Sequence, residues 1–200
     1  MPSGGKLSSQ ELKGFLSRSY TPTNEYDGYI LDKELSKGST KVYTNPITKQ
    51  TIVSHKGTEG LIDWYNNAVY AIGGIKQYKK TQRYKEAERV QREAEQKYGK
   101  ENIDTIGHSQ GGIQASLLGR DTKNIITYNA PQIHKQKEYH PEQVNIRTEY
   151  DPVSAINPNI THTIKTPYIN PLTSHTLQGL EHTNDIYGRN IRLIKQYKRI

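Results

Sequence analysis

Three side chains in this 200-residue sequence have the chemistry to open an ester: Ser109, Asp151 and His175. A serine hydroxyl is a poor nucleophile at neutral pH. It needs an imidazole to take its proton and a carboxylate to orient that imidazole. Ser109 stands in Gly107-His108-Ser109-Gln110-Gly111-Gly112, after the alternating Ile103 and Ile106 and before a helix-compatible run, Ile113–Leu118. That order reads as strand, sharp turn, helix. A turn this tight strains the residue at its apex, so its flanking positions must be glycine to avoid clashes. The amides that open the following helix would then lie beside the hydroxyl, ready for developing negative charge. By itself the motif also fits a glycine-rich loop that happens to contain serine; its placement favours a nucleophile.

The partners follow from chain order. In α/β hydrolases the serine is followed by an acid and then a histidine, each at the carboxyl end of a later strand. Asp151 lies just past the strand-like Val144–Thr148, with Pro152 shaping the turn, although Asp-Pro turns are common in their own right. Asp121 competes, but it precedes its nearest strand and belongs at the other end of the sheet. Among the histidines, His140 comes before Asp151 and His162 lies mid-strand. His175 sits in a loop before a helical run, and His182 is the reserve one to two turns on.

The elements that must hold these residues are legible as patterns. Ser8 or Ser9 caps a short helix in which Leu12, Phe15 and Leu16 share a face, ending near Tyr20. Tyr29–Leu31 is a short strand, and Lys41–His55 two strands joined at Asn45-Pro46. Leu61–Ile72 has helical periodicity, and Lys76–Tyr98 reads as the longest helix, with a solvated charged face. Asn124–Ala130, Val144–Thr148 and Ile160–Ile164 are further strands, Gln132–Gln143 is a polar surface loop, and Ser174–Leu177 begins the last helical segment. Strands alternating with helices predict an α/β fold: an α/β-hydrolase-like, mainly parallel sheet flanked by helices. The expected organisation is one small domain over residues 1–200, with a helical N-terminal extension (1–22) and a basic tail (191–200).

Composition narrows the function. Mean hydropathy is −0.89, and the bulky residues are mostly tyrosine, 15 Tyr against 1 Phe and 1 Trp, so the core is thin and half-wet. With no cysteine, disulfides and thiolate metal sites are excluded. Residues 1–10 lack the apolar run of a signal peptide, and no 18-residue apolar window is present, so a soluble chain, cytoplasmic or peripheral at membranes, is expected. The net charge of +8 favours polyanions, a nucleic acid or an anionic membrane surface, but the lysines are scattered and no specific nucleic-acid motif is present.

Val53-Ser-His-Lys-Gly-Thr58, Asp63-Trp64, Ile103–Gly112, Asp151-Pro-Val and His175-Thr-Leu occur in an order that resembles the class 3 lipases, the fungal-type triacylglycerol lipase and phospholipase A1 group. The resemblance spans roughly residues 41–180. It implies Ser109 as nucleophile, Asp151 as orienting carboxylate and His175 as base. It also implies an oxyanion hole made by the backbone N–H of Thr58, with its hydroxyl as a further donor, and the N–H of Gln110. No metal or cofactor is implied. Lys56 stands where that family usually has arginine, and Gln110 where it usually has leucine. Leu61–Ile72 matches the lid region but carries Asp63, Asn66 and Asn67. The function expected is a serine ester hydrolase acting on lipid esters. Two other readings stay open: an inactive hydrolase scaffold that binds membrane or nucleic acid through its basic surface, and a thioesterase or peptidase with the same three residues.

Overall fold

One alternation decides how the layers assemble. Across the antiparallel pair of strands Thr40–Thr44 and Thr51–His55, Val42 sits opposite Val53 and Tyr43 opposite Ile52, so the two faces of the ribbon carry different apolar pairs. Both faces are buried, and helices cover each.

The computed structural model describes residues 6–58, 74–132, 140–167 and 169–187. Among these residues eight strands lie in chain order across one sheet: β1 (Glu25–Tyr26), β2 (Tyr29–Leu31), β3 (Thr40–Thr44), β4 (Thr51–His55), β5 (Ile103–His108), β6 (Asn124–Tyr128), β7 (Gln143–Thr148) and β8 (His162–Ile164). Neighbours from β1 to β4 are antiparallel, and those from β4 to β8 are parallel. The architecture is the expected α/β-hydrolase-like sheet, with an antiparallel ribbon added at one edge.

Helix α1 (Ser9–Tyr20) covers one face. Its capping box uses Ser8: the Glu11 amide donates to Ser8 Oγ at 3.2 Å, and the Ser8 amide donates to the Glu11 carboxylate at 2.7 Å. Leu12, Phe15 and Leu16 are fully buried against Tyr43, Ile52 and Ile106, each contributing about 1.5–3 kcal/mol by transfer from water. The tyrosine-rich composition pays off here, since Phe15 meets the rings of Tyr26 and Tyr29 edge-on at 5.0 and 4.9 Å.

The other face carries α3 (Gln82–Tyr98) and α4 (Gln110–Leu118). The predicted single helix from Lys76 is in fact two, because α2 (Ile75–Tyr78) stops short of Thr81. The Thr81 hydroxyl donates to the Tyr78 carbonyl at 2.7 Å and accepts from the Tyr84 amide at 3.2 Å, so it closes one helix and caps the next. Val90 and Ala94 of α3 pack on Val42, Val53 and Ile103. The predicted helix and lid region Leu61–Ile72, with Asp63 and Trp64, and the basic tail 191–200 lie outside the described residues.

Candidate active site

The parallel strands all end at one edge, and the residues singled out in the sequence gather there. β5 ends at His108, and Ser109 follows at φ 55°, ψ −126°, a left-handed conformation rare for a residue with a Cβ. Its neighbours must then be bare. A Cβ on Gly107 would lie 2.2 Å from the Gly111 carbonyl oxygen, and one on Gly111 would lie 2.1 Å from that of His55. Helix α4 starts at Gln110, three residues earlier than the sequence pattern placed its run, so the amides of Gln110, Gly111 and Gly112 form its first turn. The Gly112 amide donates back to the Ser109 carbonyl at 2.9 Å.

His175 Nε2 lies 3.0 Å from Ser109 Oγ, and His175 Nδ1 lies 2.8 Å from Asp151 Oδ1. A carboxylate only accepts, so Nδ1 carries the hydrogen and Nε2 is left to receive the hydroxyl proton. Asp151 is fully buried, and its second oxygen accepts from the Ser154 amide at 2.9 Å and from the Ser154 hydroxyl. The Val153 amide adds a weaker bond to Oδ1 at 3.3 Å. Chemically, the arrangement can draw a proton from Ser109 onto His175 while Asp151 holds the resulting imidazolium. Asp121 lies before β6 at the opposite end of the sheet, exposed and paired with Lys100 at 2.9 Å. His162 opens β8, and His182 closes the 3-10 turn Leu177–His182.

His175 does not open the last helical segment; it caps α5 (Pro171–Ser174). Its loop is held through consecutive carbonyls. Asn129 Nδ2 donates to Ser174 O at 2.9 Å, together with the Thr148 hydroxyl, and the Tyr128 hydroxyl donates to Thr176 O at 3.1 Å. His108 Nε2 lies 2.9 Å from His175 O, and since a carbonyl only accepts, Nε2 carries the hydrogen. His108 Nδ1 is then free to accept from the Tyr20 hydroxyl at 2.7 Å, whose oxygen accepts the Gly57 amide at 2.9 Å. One chain of hydrogen bonds thus links α1, the loop after β4, the strand leading to Ser109 and the loop bearing His175. The Gly-His-Ser motif marks His108 in the sequence. Tyr20, Tyr128 and Asn129 carry no local signal, because each acts on a segment distant in the chain.

The predicted oxyanion residues sit beside this chain. The Thr58 hydroxyl donates to Gln110 Oε1 at 2.7 Å. In this arrangement the Thr58 hydroxyl is engaged with Gln110. It also gives Gln110 a side-chain role that a leucine there would lack. Among the described residues no group of three or more His, Asp or Glu is arranged to hold a metal ion.

Two buried histidines make the fold acid-sensitive. Burial pushes His108 down to about 3, helped by the neighbouring His175, and His55 down to about 4. His55 bridges Thr40 Oγ1 at 2.9 Å and Gln91 Oε1 at 3.2 Å. Both rings stay neutral in the folded chain while the unfolded chain binds protons near pH 6.5. Their contribution is therefore complete above that pH and is lost as pH falls toward 4 and 3. Between pH 6.5 and 4.5 each is expected to remove about 2–3 kcal/mol of unfolding free energy. Denaturant titrations at the two pH values measure this, and His55→Gln is expected to flatten the slope by roughly half.

No protein-family model and no curated protein matches the chain. Among solved structures, it is similar to a triacylglycerol lipase from Penicillium expansum, at 14% identity over 78% of this chain and 77% of that one, with a TM-score of 0.49. It is also similar to the Lip2 lipase from Yarrowia lipolytica, at 14% identity over 86% of this chain and 87% of that one, with a TM-score of 0.46.

Proposed function

We propose that the protein is a serine carboxylic ester hydrolase acting on lipid esters. One observation carries the reading: an unbroken hydrogen-bonded line from Ser109 Oγ, at the apex of a strained strand-to-helix turn, through His175 to the buried Asp151. In this reading Ser109 attacks the ester carbonyl as its proton moves to His175 Nε2. The tetrahedral oxyanion is met by the N–H groups of Thr58 and Gln110, and removal of one such donor ordinarily costs about 2.7–4 kcal/mol. His175 then protonates the departing alcohol, and water, activated by the same imidazole, releases the acyl group from Ser109.

The surroundings support a lipid substrate. The loops that carry Asp151 and His175 also present Tyr150, Ile156, Ile169 and Leu172 to solvent, 46 to 78% exposed. Such apolar side chains around an ester-cleaving centre fit an acyl chain or a lipid surface. The net charge of +8 favours anionic phospholipid over neutral glyceride. Among the described residues no helix is long and apolar enough to cross a membrane.

The decisive experiment is active-site labelling. Purified protein is expected to react with a fluorophosphonate at one equivalent per chain, with the adduct on Ser109 by peptide mass spectrometry, and to hydrolyse short-chain nitrophenyl esters. A scaffold that only binds membrane or nucleic acid would show salt-sensitive binding with neither labelling nor turnover.

A further inference from the structure

The loop after β4 is gripped at almost every polar atom. The Lys56 amide donates to the Ser39 carbonyl at 2.8 Å, the Gly57 amide to Tyr20, and the Thr58 hydroxyl to Gln110. The loop lies hard against the nucleophile: a Cβ on Gly57 would come within 2.9 Å of Ser109 Cβ and 2.7 Å of the Tyr20 hydroxyl. On its outer side, Arg83 of α3 donates from Nη2 to two successive carbonyls, those of Lys56 and Gly57, the latter at 3.1 Å.

The second contact has a particular consequence. The Gly57 carbonyl and the Thr58 N–H are the two ends of one planar peptide unit. A cation bonded to the oxygen end orients that plane and polarises it, so the N–H at the other end becomes a stronger donor. Resting on the proposed ester-hydrolase reading, we infer that Arg83 is a positioning residue for the oxyanion hole, acting through the Gly57–Thr58 peptide without touching substrate. The guanidinium is itself confined. The buried Tyr78 phenol lies beside it, and Arg83 opposes the upward push that burial gives that phenol. Arg83 and Gln114 both act on that buried phenol as hydrogen-bonding neighbours. The guanidinium is therefore held between its two carbonyls and the Tyr78 ring. Lysine is shorter, and its freely rotating ammonium lacks the fixed donor directions of a guanidinium, so it would hold the two carbonyls less firmly.

The test compares wild type with Arg83→Lys and Arg83→Gln on a short-chain nitrophenyl ester, with turnover expressed per fluorophosphonate-titrated site. That normalisation removes any loss from misfolded protein. Arg83→Gln is expected to lower kcat per titrated site about 10- to 100-fold with KM within about threefold, a fraction of what losing a whole donor costs. Arg83→Lys is expected to fall between the two, and inhibition by an alkyl boronic acid, which presents an oxyanion, is expected to weaken in parallel with kcat. Wild-type kcat per site in Arg83→Gln would overturn the inference, as would a loss confined to melting temperature and titratable fraction. If Arg83→Gln does not fold, Arg83→Lys decides by the same ratio. A wild type that neither labels nor turns over esters would bring down the hydrolase reading and this inference together. An active wild type with unaffected Arg83 variants would bring down this inference alone.

Discussion

Ser109→Ala is expected to erase fluorophosphonate labelling and to lower ester turnover by about 10⁴- to 10⁶-fold. The oxygen it removes is the one that lies 3.0 Å from His175 Nε2. The residual rate would come from the Thr58 and Gln110 amides acting on a water-attacked ester. Folding should be nearly untouched, because alanine meets the same strained φ of 55° as serine and the flanking glycines remain. Kinetics with a melting curve check both halves. A variant that labels and turns over like wild type would remove Ser109 from the mechanism and leave the Gly-His-Ser turn as architecture.

The second large effect is expected from Asp151→Asn, about a 10⁴-fold fall in kcat, or roughly 5.5 kcal/mol of transition-state stabilisation. The reason is directional. Ser154 donates its amide and its hydroxyl to Oδ2, so an asparagine would keep its carbonyl oxygen there and turn its NH₂ toward His175. The imidazole would then accept at Nδ1 and hold its hydrogen on Nε2, facing Ser109 with a donor where an acceptor is needed. Shape and burial barely change, so melting temperature should move little while labelling slows in step with turnover. Activity within tenfold of wild type would show that another group orients His175.

Ser109, Asp151 and His175 were nameable from the sequence because spacing and chain order constrain them, whereas Thr58 and Gln110 were named through the family resemblance. A strained apex needs glycines within a few residues, a strand end needs an alternating run before it, and chain order picks among acids and histidines. The same locality made α1 legible through Ser8, Glu11 and its apolar face, and the β3–β4 ribbon through its alternation. The break at Thr81 was not legible, since a threonine inside a helical pattern reveals its capping role only when Tyr78 and Tyr84 are seen bonded to it. Other decisions belonged to tertiary structure alone. The Thr58 hydroxyl turns to Gln110, and Tyr20 joins Gly57 to His108. Tyr128, Asn129 and Thr148 grip the loop of His175, and Arg83 reaches two carbonyls 26 and 27 residues earlier in the chain. Each is a hydrogen bond between segments far apart in the chain. Periodicity and spacing report which face a residue occupies, whereas the partner of a buried polar group is set by whatever the folded sheet brings within 3 Å of it.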